Sequence, residues 1–310
     1  MIVPECTISW TSLQKLSLTC CSISTGSMAK ILSGCPVLEN LTLDYWDELN
    51  VLDLSKSLRL RTLEQSNEWS PVRRQIVAPH IHCLSLYDSE LSCTLVDVSS
   101  LAEANLEISY VQDCNSYITF LQAKGLKMLK KLHNVEKLTF GGNFIQLLSL
   151  AEIRGLVPIH CGGVPFPILK VKALTLDIKM CQYVIPGIER LLQISPDLET
   201  LTVRGRTNFQ VPEEFAGNYL KSQGFNVSKC WRSKDGASWN KYCEDLKAEH
   251  VSSLVELVLK NTEKLNKMVV LLDERYLNFK IEDVVIPTLR NNKNVSVVLS
   301  NTKLMALEKW

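Results

Sequence analysis

Apolar residues recur along this chain in a short fixed frame, L-x-x-L-x-L, with polar residues in most of the gaps. Leu13, Leu16 and Leu18 form one set, and Leu38, Leu41 and Leu43 the next. A degenerate set at Leu60 and Leu63 follows, then Ile81, Leu84 and Leu86, then a weaker Ala104, Leu106 and Ile108. Val135, Leu138 and Phe140, then Val171, Leu174 and Leu176, then Leu198, Leu201 and Val203 continue the series. Two longer stretches match position by position at an offset of 160 residues: Lys30–Leu43, KILSGCPVLENLTL, and Arg190–Val203, RLLQISPDLETLTV. A looser copy over Leu257–Val270 puts Leu265, Met268 and Val270 in the same slots. Self-similarity of this kind marks a repeat architecture and is settled before any motif is read.

The frame has a geometric meaning. A strand of period two sends alternate residues to one face. The fourth and sixth positions therefore enter a core together, and the first enters from the turn before the strand. One such unit cannot bury its own apolar edge, whereas units stacked side by side make a continuous core. Amphipathic spacing predicts helices over Ser27–Leu32 and Gly187–Ile194. Ser24 or Thr25 is placed to cap the first, and Pro36 and Pro196 stop the two helices. The predicted fold is an α/β, irregular leucine-rich-repeat solenoid: a parallel sheet on the concave side, helices and turns on the convex side, and a helix–strand C-terminal cap. Some spacings fit a 20–29-residue repeat, but the 36 residues from Val135 to Val171 do not, so insertions are expected.

Between Asn208 and Glu249 the pattern breaks into a polar stretch and a segment containing Trp231, Trp239 and Tyr242. Three regions are expected: a repeat region over 1–208, an irregular aromatic-containing insertion or linker over 209–250, and a C-terminal module over 251–310 that completes the solenoid. In the last, Ser252–Lys264 reads as a helix and Lys267–Leu272 as a buried strand. Lys280–Arg290 reads as a helix shortened by Pro287, and Val295–Ser300 as a second strand.

Composition narrows the function class. A net charge of +1 over 310 residues carries no electrostatic footprint for nucleic acid. The basic cluster Lys127, Lys130 and Lys131 is interrupted by apolar residues at helical spacing and reads as a solvated helix face. No apolar run approaches the roughly 18–20 residues that cross a bilayer. The N-terminus has no signal-peptide pattern, so a reducing cytoplasmic or nuclear setting is expected, with the 11 cysteines as free thiols. Neither a nucleic-acid partner nor a membrane partner is expected.

Candidate chemistry is thin. His80, His82 and Cys83, with Cys93 beyond, lack the paired spacing of a zinc site. Adjacent Cys20 and Cys21 face opposite ways in extended chain and favour neither chelation nor a disulfide. His160-Cys161-Gly162-Gly163 lacks a third group to orient a base and reads as an inter-repeat loop. Gly141-Gly142-Asn143 lacks a phosphate-loop frame and reads as a turn. Glu189 and Arg190 read as solvated helix residues, and Trp231 and Trp239 as packing of the insertion. No cofactor, metal or catalytic residue is expected. The surface that alternation exposes is the outer face of the sheet, and on it Lys15, Asp44, Tyr87, Glu107, Lys137, Asp177 and Arg204 are the candidate protein-binding residues.

The segments GCPVLENLTL at Gly34–Leu43, GVPFPILKVKALTLDIKM at Gly163–Met180 and SPDLETLTVRG at Ser195–Gly205 resemble the leucine-rich region of plant F-box/LRR proteins. Trp231–Trp239 and the closing VELVLKNTEKLNKMVVLLDERY and NVSVVLS look like the FBD-type C-terminal region of grass members. The resemblance implies a non-enzymatic module that selects protein substrates for a cullin–RING ubiquitin ligase, with an F-box docking the Skp adaptor. A strand within a dozen residues of Met1 leaves no room for an F-box before it. The adaptor is therefore expected as a partner only if an F-box is supplied. The alternative is an F-box-less scaffold that binds partners without recruiting a ligase.

Overall fold

The computed structural model describes residues 9–46, 48–67, 74–88, 91–108, 115–153, 166–205, 213–222, 246–273, 277–286 and 295–302. Its strands in chain order are β1 (Lys15–Thr19), β2 (Asn40–Asp44), β3 (Val51–Asp53), β4 (Thr62–Asn67), β5 (Arg74–Val77), β6 (Cys83–Asp88) and β7 (Cys93–Asp97). They continue as β8 (Glu103–Glu107), β9 (Lys137–Gly141), β10 (Ala173–Ile178), β11 (Thr200–Gly205), β12 (Lys267–Asp273) and β13 (Ser296–Thr302). Ten of them form one sheet in the order β1-β2-β4-β6-β8-β9-β10-β11-β12-β13. Every neighbouring pair in that sheet is parallel.

The stacking follows from where the strands begin. The carbonyl of Gln14 accepts the N–H groups of both Glu39 and Asn40. The carbonyls of Glu39, Arg61, His82, Ala102, Glu136, Lys172 and Glu199 each do the same for the next strand in the sheet. This shared acceptor sets one register from β1 to β12. Leu41, Leu174 and Leu201 consequently lie in one core, each almost wholly buried. The 160-residue match extends to the backbone. Leu32 O accepts from Cys35 N, and Leu192 O from Ser195 N. Cys35 O then accepts from Leu38 N, and Ser195 O from Leu198 N.

A second layer covers the inner face of the sheet. It contains helices α1 (Thr25–Ser33), α2 (Asn115–Lys131), α3 (Gly142–Ile153), α4 (Ile185–Gln193) and α6 (Ala248–Asn261). A further helix, α5 (Glu213–Ser222), lies within the stretch read as irregular. Between α1 and α2 the layer is a separate three-stranded parallel sheet, β3-β5-β7. The sequence pattern did not reveal these strands. Strands β2, β4, β6 and β8 begin only 20–22 residues apart. That leaves too little chain for a three-turn helix, because a helix advances about 1.5 Å per residue against about 3.3 Å for a strand.

The helices differ from their expected bounds in small ways. Ser24, not Thr25, caps α1, its Oγ accepting from Ser27 N at 3.1 Å. Helix α6 starts four residues before Ser252 and stops before Lys264. Only a short 3-10 turn, Ile281–Asp283, is found within Lys280–Arg290, whose last four residues lie outside the described ones. Gly141-Gly142-Asn143 is not a turn: Gly141 ends β9 and Gly142 begins α3 directly.

Helix α3 is buried on every side from Gly142 to Ala151, between α2 and α4 and over β8, β9 and β10. Such a helix has to satisfy its polar side chains internally. The Asn143 side-chain amide donates to Ile108 O. Ser149 Oγ donates to Ile145 O at 3.1 Å and accepts the Gly187 N–H at 2.8 Å. Phe140 and Phe144 stack at 4.7 Å between ring centroids, tying β9 to α3.

Candidate protein-binding face

The face of the ten-stranded sheet opposite the helices is built from three rows of side chains that cross the strands. The registers place Lys15, Asn40, Thr62, Cys83, Glu103, Lys137, Ala173, Thr200, Lys267 and Ser296 in the first row. The middle row runs Ser17, Thr42, Glu64, Ser85, Asn105, Thr139, Thr175, Thr202, Val269 and Val298. The third begins Thr19, Asp44, Ser66, Tyr87 and Glu107. It continues with Gly141, Asp177, Arg204, Leu271 and Ser300.

All seven residues singled out by alternation lie on this face. Lys15 and Lys137 belong to the first row. Asp44, Tyr87, Glu107, Asp177 and Arg204 belong to the third. Five residues scattered over 160 positions of sequence thus share one line across the sheet. Where that line reaches β9 the side chain is missing. The Glu107 carboxylate occupies the gap, against Gly141 Cα, where a Cβ would stand.

The charges on the face are not equivalent. Lys137 pairs with Glu103 at 3.8 Å, and Arg204 with Asp177 at 3.5 Å. Asp44 and Glu64 form a different kind of pair, two like charges at diagonal positions on adjacent strands. Neither carboxylate has an ion-pair partner among the described residues. Among the described residues Glu64 accepts the Thr42 hydroxyl, at 3.3 Å. Burial, and then the nearby Glu64 charge, push the Asp44 carboxyl above its ordinary value. At the far end of the face Val269, Leu271 and an exposed Val298 stand between Lys267 and Ser296 on one side and Ser300 on the other.

Glu64 escaped the sequence reading because its strand breaks the frame. Position 65, where the third leucine belongs, is a buried glutamine whose Nε2 donates to Cys93 Sγ at 2.9 Å. Alternation from Leu63 alone would have put Glu64 on the open face. Arg190, expected to be a solvated helix residue, is instead half-buried and paired. Its guanidinium meets Glu152 at 2.7 Å and lies over the Phe166 ring at 5.0 Å. Glu152 comes from α3, 38 residues earlier, a proximity no local pattern announces.

The remaining candidate chemistry is dispersed. Cys83 lies half-buried in the first row, its thiol pushed up first by burial and then by Glu103. His82 is exposed, and among the described residues no group of three or more His, Cys, Asp or Glu side chains is placed to hold a metal. Cys20 and Cys21 are both free thiols. His160–Gly163, Trp231 and Trp239 lie outside the described residues. No helix among the described residues is long and apolar enough to cross a membrane.

Stacked strand-and-crossover units sharing one core, with an open sheet face along their whole length, define a leucine-rich-repeat solenoid, a class built for protein interaction. The family model for the leucine-rich repeats of the FBD-associated F-box protein At5g56370 matches residues 3–203. The chain belongs to that F-box/LRR-repeat family. It is 54% identical over 296 residues to the Arabidopsis thaliana protein named as F-box/LRR-repeat protein At3g18150, covering 94% of this chain and 62% of the relative. It is 53% identical over 302 residues to the protein named as F-box protein At1g60180 of the same plant, covering 97% and 91%. F-box/LRR-repeat protein At3g03360, also from Arabidopsis, is 43% identical over 307 residues, covering 97% and 62%. The chain thus spans about three-fifths of the length of several curated relatives.

Proposed function

We propose that this chain is the partner-recognising part of an F-box-type ubiquitin ligase receptor, and that the open sheet face holds the protein to be ubiquitinated. The observation that carries the proposal is the unbroken ten-stranded face, with its seven charged or aromatic candidates in two rows. Family membership supports the link to a ligase, with the Skp adaptor reached through an F-box in the same reading frame or on a partner.

Proximity labelling in plant cells tests this. The chain is expressed in its full reading frame, as wild type and as a Thr139→Arg/Thr202→Arg variant whose bulky cations stand in the middle row. The expected result is a set of proteins labelled by the wild type alone, whose half-lives lengthen when the receptor is removed. Identical labelling by both proteins overturns the assignment of the face. Face-dependent partners with unchanged half-lives overturn the ligase role and leave the alternative, a scaffold that binds without recruiting a ligase.

A further inference from the structure

We infer that β13 is a self-association edge: two copies of this chain pair through it, antiparallel, about a twofold axis at Val298. This goes beyond the receptor reading and does not depend on what the open face binds.

Strand β13 ends the ten-stranded sheet and is bonded on one side only, to β12. The register fixes which of its backbone groups stay open. The Ser296 N–H donates to Asn266 O, one residue before its register partner Lys267. In a parallel ladder alternate residues bond to a given neighbour, so the peptide groups of Ser296, Val298 and Ser300 face β12. Those of Val297, Leu299 and Asn301 point away from the sheet. Among the described residues nothing donates to them or accepts from them.

The edge also lacks the usual protection. Outer strands are kept from pairing by charge, proline or a bulge. Residues 295–302, VSVVLSNT, hold no charge, no proline and no glycine. From Ser296 to Thr302 the pairing with β12 runs without a shift in register. By contrast β1, at the other end of the sheet, carries Lys15. The core is unfinished at β13 as well, where a terminal repeat ordinarily has a polar cap. Val297 and Leu299 pack against the core but are only half-buried, whereas Met268 and Val270, in the same slots of β12, have no exposure. Val285 and Ile286, just after the 3-10 turn that packs beside β13, are exposed too.

Whatever covers this edge has to supply an unpaired, uncharged strand with apolar residues at alternate places. A second copy of β13 does so. With Val298 opposite its own counterpart, Val297 lies opposite Leu299 of the second copy, and Leu299 opposite Val297. Apolar residues then meet only apolar ones. The outward peptide groups of each Val297 and Leu299 pair exchange both hydrogen bonds, as opposed residues of an antiparallel ladder do. Opposed residues share a face, so Val297 and Leu299 close the two cores against each other and the two open faces run on as one surface. The edge of β1 is the poorer occupant. It brings Lys15, and pairing in parallel it would link copies head to tail in a contact that does not close.

Sedimentation velocity on the full 310-residue chain tests this over about 1–100 μM, where association shows as a concentration-dependent shift to twice the monomer mass. Wild type is compared with Val298→Lys, with Val298→Glu, with their equimolar mixture, and with Val96→Lys, which charges an exposed valine of the other sheet. Circular dichroism establishes that each is folded. Wild type is expected to dimerise. Each charged Val298 variant should weaken the dimer at least about tenfold, the mixture should recover it because opposite charges face across the axis, and Val96→Lys should stay within about twofold of wild type. Hydrogen exchange reads the same edge without a substitution: the Val297 and Leu299 amides of wild type should be better protected at the high concentration than at the low, and those of Lys15–Thr19 unchanged.

A wild type that stays monomeric with concentration-independent exchange at Val297 and Leu299 overturns the inference. So does association that ignores Val298→Lys, or that protects the β1 amides and grows beyond the dimer. Folded Val298 variants that fail to associate when mixed overturn the register about Val298.

Discussion

The backbone N–H of Gly187 on α4 donates to Ser149 Oγ on α3 at 2.8 Å, at a point where the two helices pack too closely to admit a side chain on residue 187. A Cβ on Gly187 would collide with the Ile145 carbonyl oxygen and stand 2.7 Å from Ser149 Oγ. The first of these is backbone in the buried stretch Gly142–Ala151 of α3 and cannot turn aside. Gly187→Ala is therefore expected to destabilise the protein by about 1–3 kcal/mol, the range for overpacking. Ser149→Ala removes the acceptor from a buried N–H and should cost a similar amount. Midpoints of urea unfolding followed by circular dichroism check both, and a variant as stable as wild type would contradict the close crossing.

Gly141 offers the opposite outcome from a similar clash. There the obstructing group is the Glu107 carboxylate, the far end of a flexible side chain. Gly141→Ala is expected to cost no more than about 1 kcal/mol while displacing Glu107 from the third row. The check is a near-unchanged urea midpoint together with altered binding of any ligand selected on the open face.

The ladder itself makes a graded prediction. Leu41→Ala and Leu201→Ala empty positions with no solvent exposure and should each cost about 2–5 kcal/mol. Leu16→Ala, in half-buried β1, removes the same atoms from a strand with a neighbour on one side only, and should cost less. Equal losses at Leu16 and Leu41 would mean that β1 is buried as deeply as the strands inside the sheet.

Two aspartates should respond to acid with opposite signs. The Asp44 carboxyl is raised, by burial first and by Glu64 second, so the folded state holds its proton more tightly than the unfolded chain. Its cost is present above the folded-state value and is lifted as pH falls through that value towards the ordinary one. Asp44→Asn is accordingly expected to stabilise the protein slightly at pH 7, by no more than about 1 kcal/mol. That advantage should shrink as the solution is acidified.

Asp197 is lowered, chiefly by its hydrogen bond from Lys264 at 2.6 Å. Its contribution is present above the ordinary carboxylate value and is lost as pH falls through the lowered one. Asp197→Asn should therefore reduce stability at pH 7, by an amount that salt diminishes because the pair is exposed. Thermal melts from pH 3 to 7 distinguish the two, and parallel curves for both variants would contradict the assignment.

Chain order alone was enough for the ladder. The 160-residue match between Lys30–Leu43 and Arg190–Val203 reappears as the same sequence of backbone hydrogen bonds, because a repeat with the same turn residues closes the same turn. Strand alternation was equally legible. It is a property of covalent geometry, so Asp44, Tyr87 and Arg204 could be assigned to the open face without coordinates. Tertiary structure decided what those side chains meet. Whether a carboxylate is neutralised depends on the neighbouring strand: Asp177 lies beside Arg204 through the register of β10 and β11, and Asp44 diagonally beside Glu64 through that of β2 and β4. The crossing of α3 and α4, the Arg190–Glu152 pair and the small second sheet were out of reach for the same reason. Each depends on how far the chain must travel between rungs and on residues tens of positions apart, and local periodicity carries no record of either.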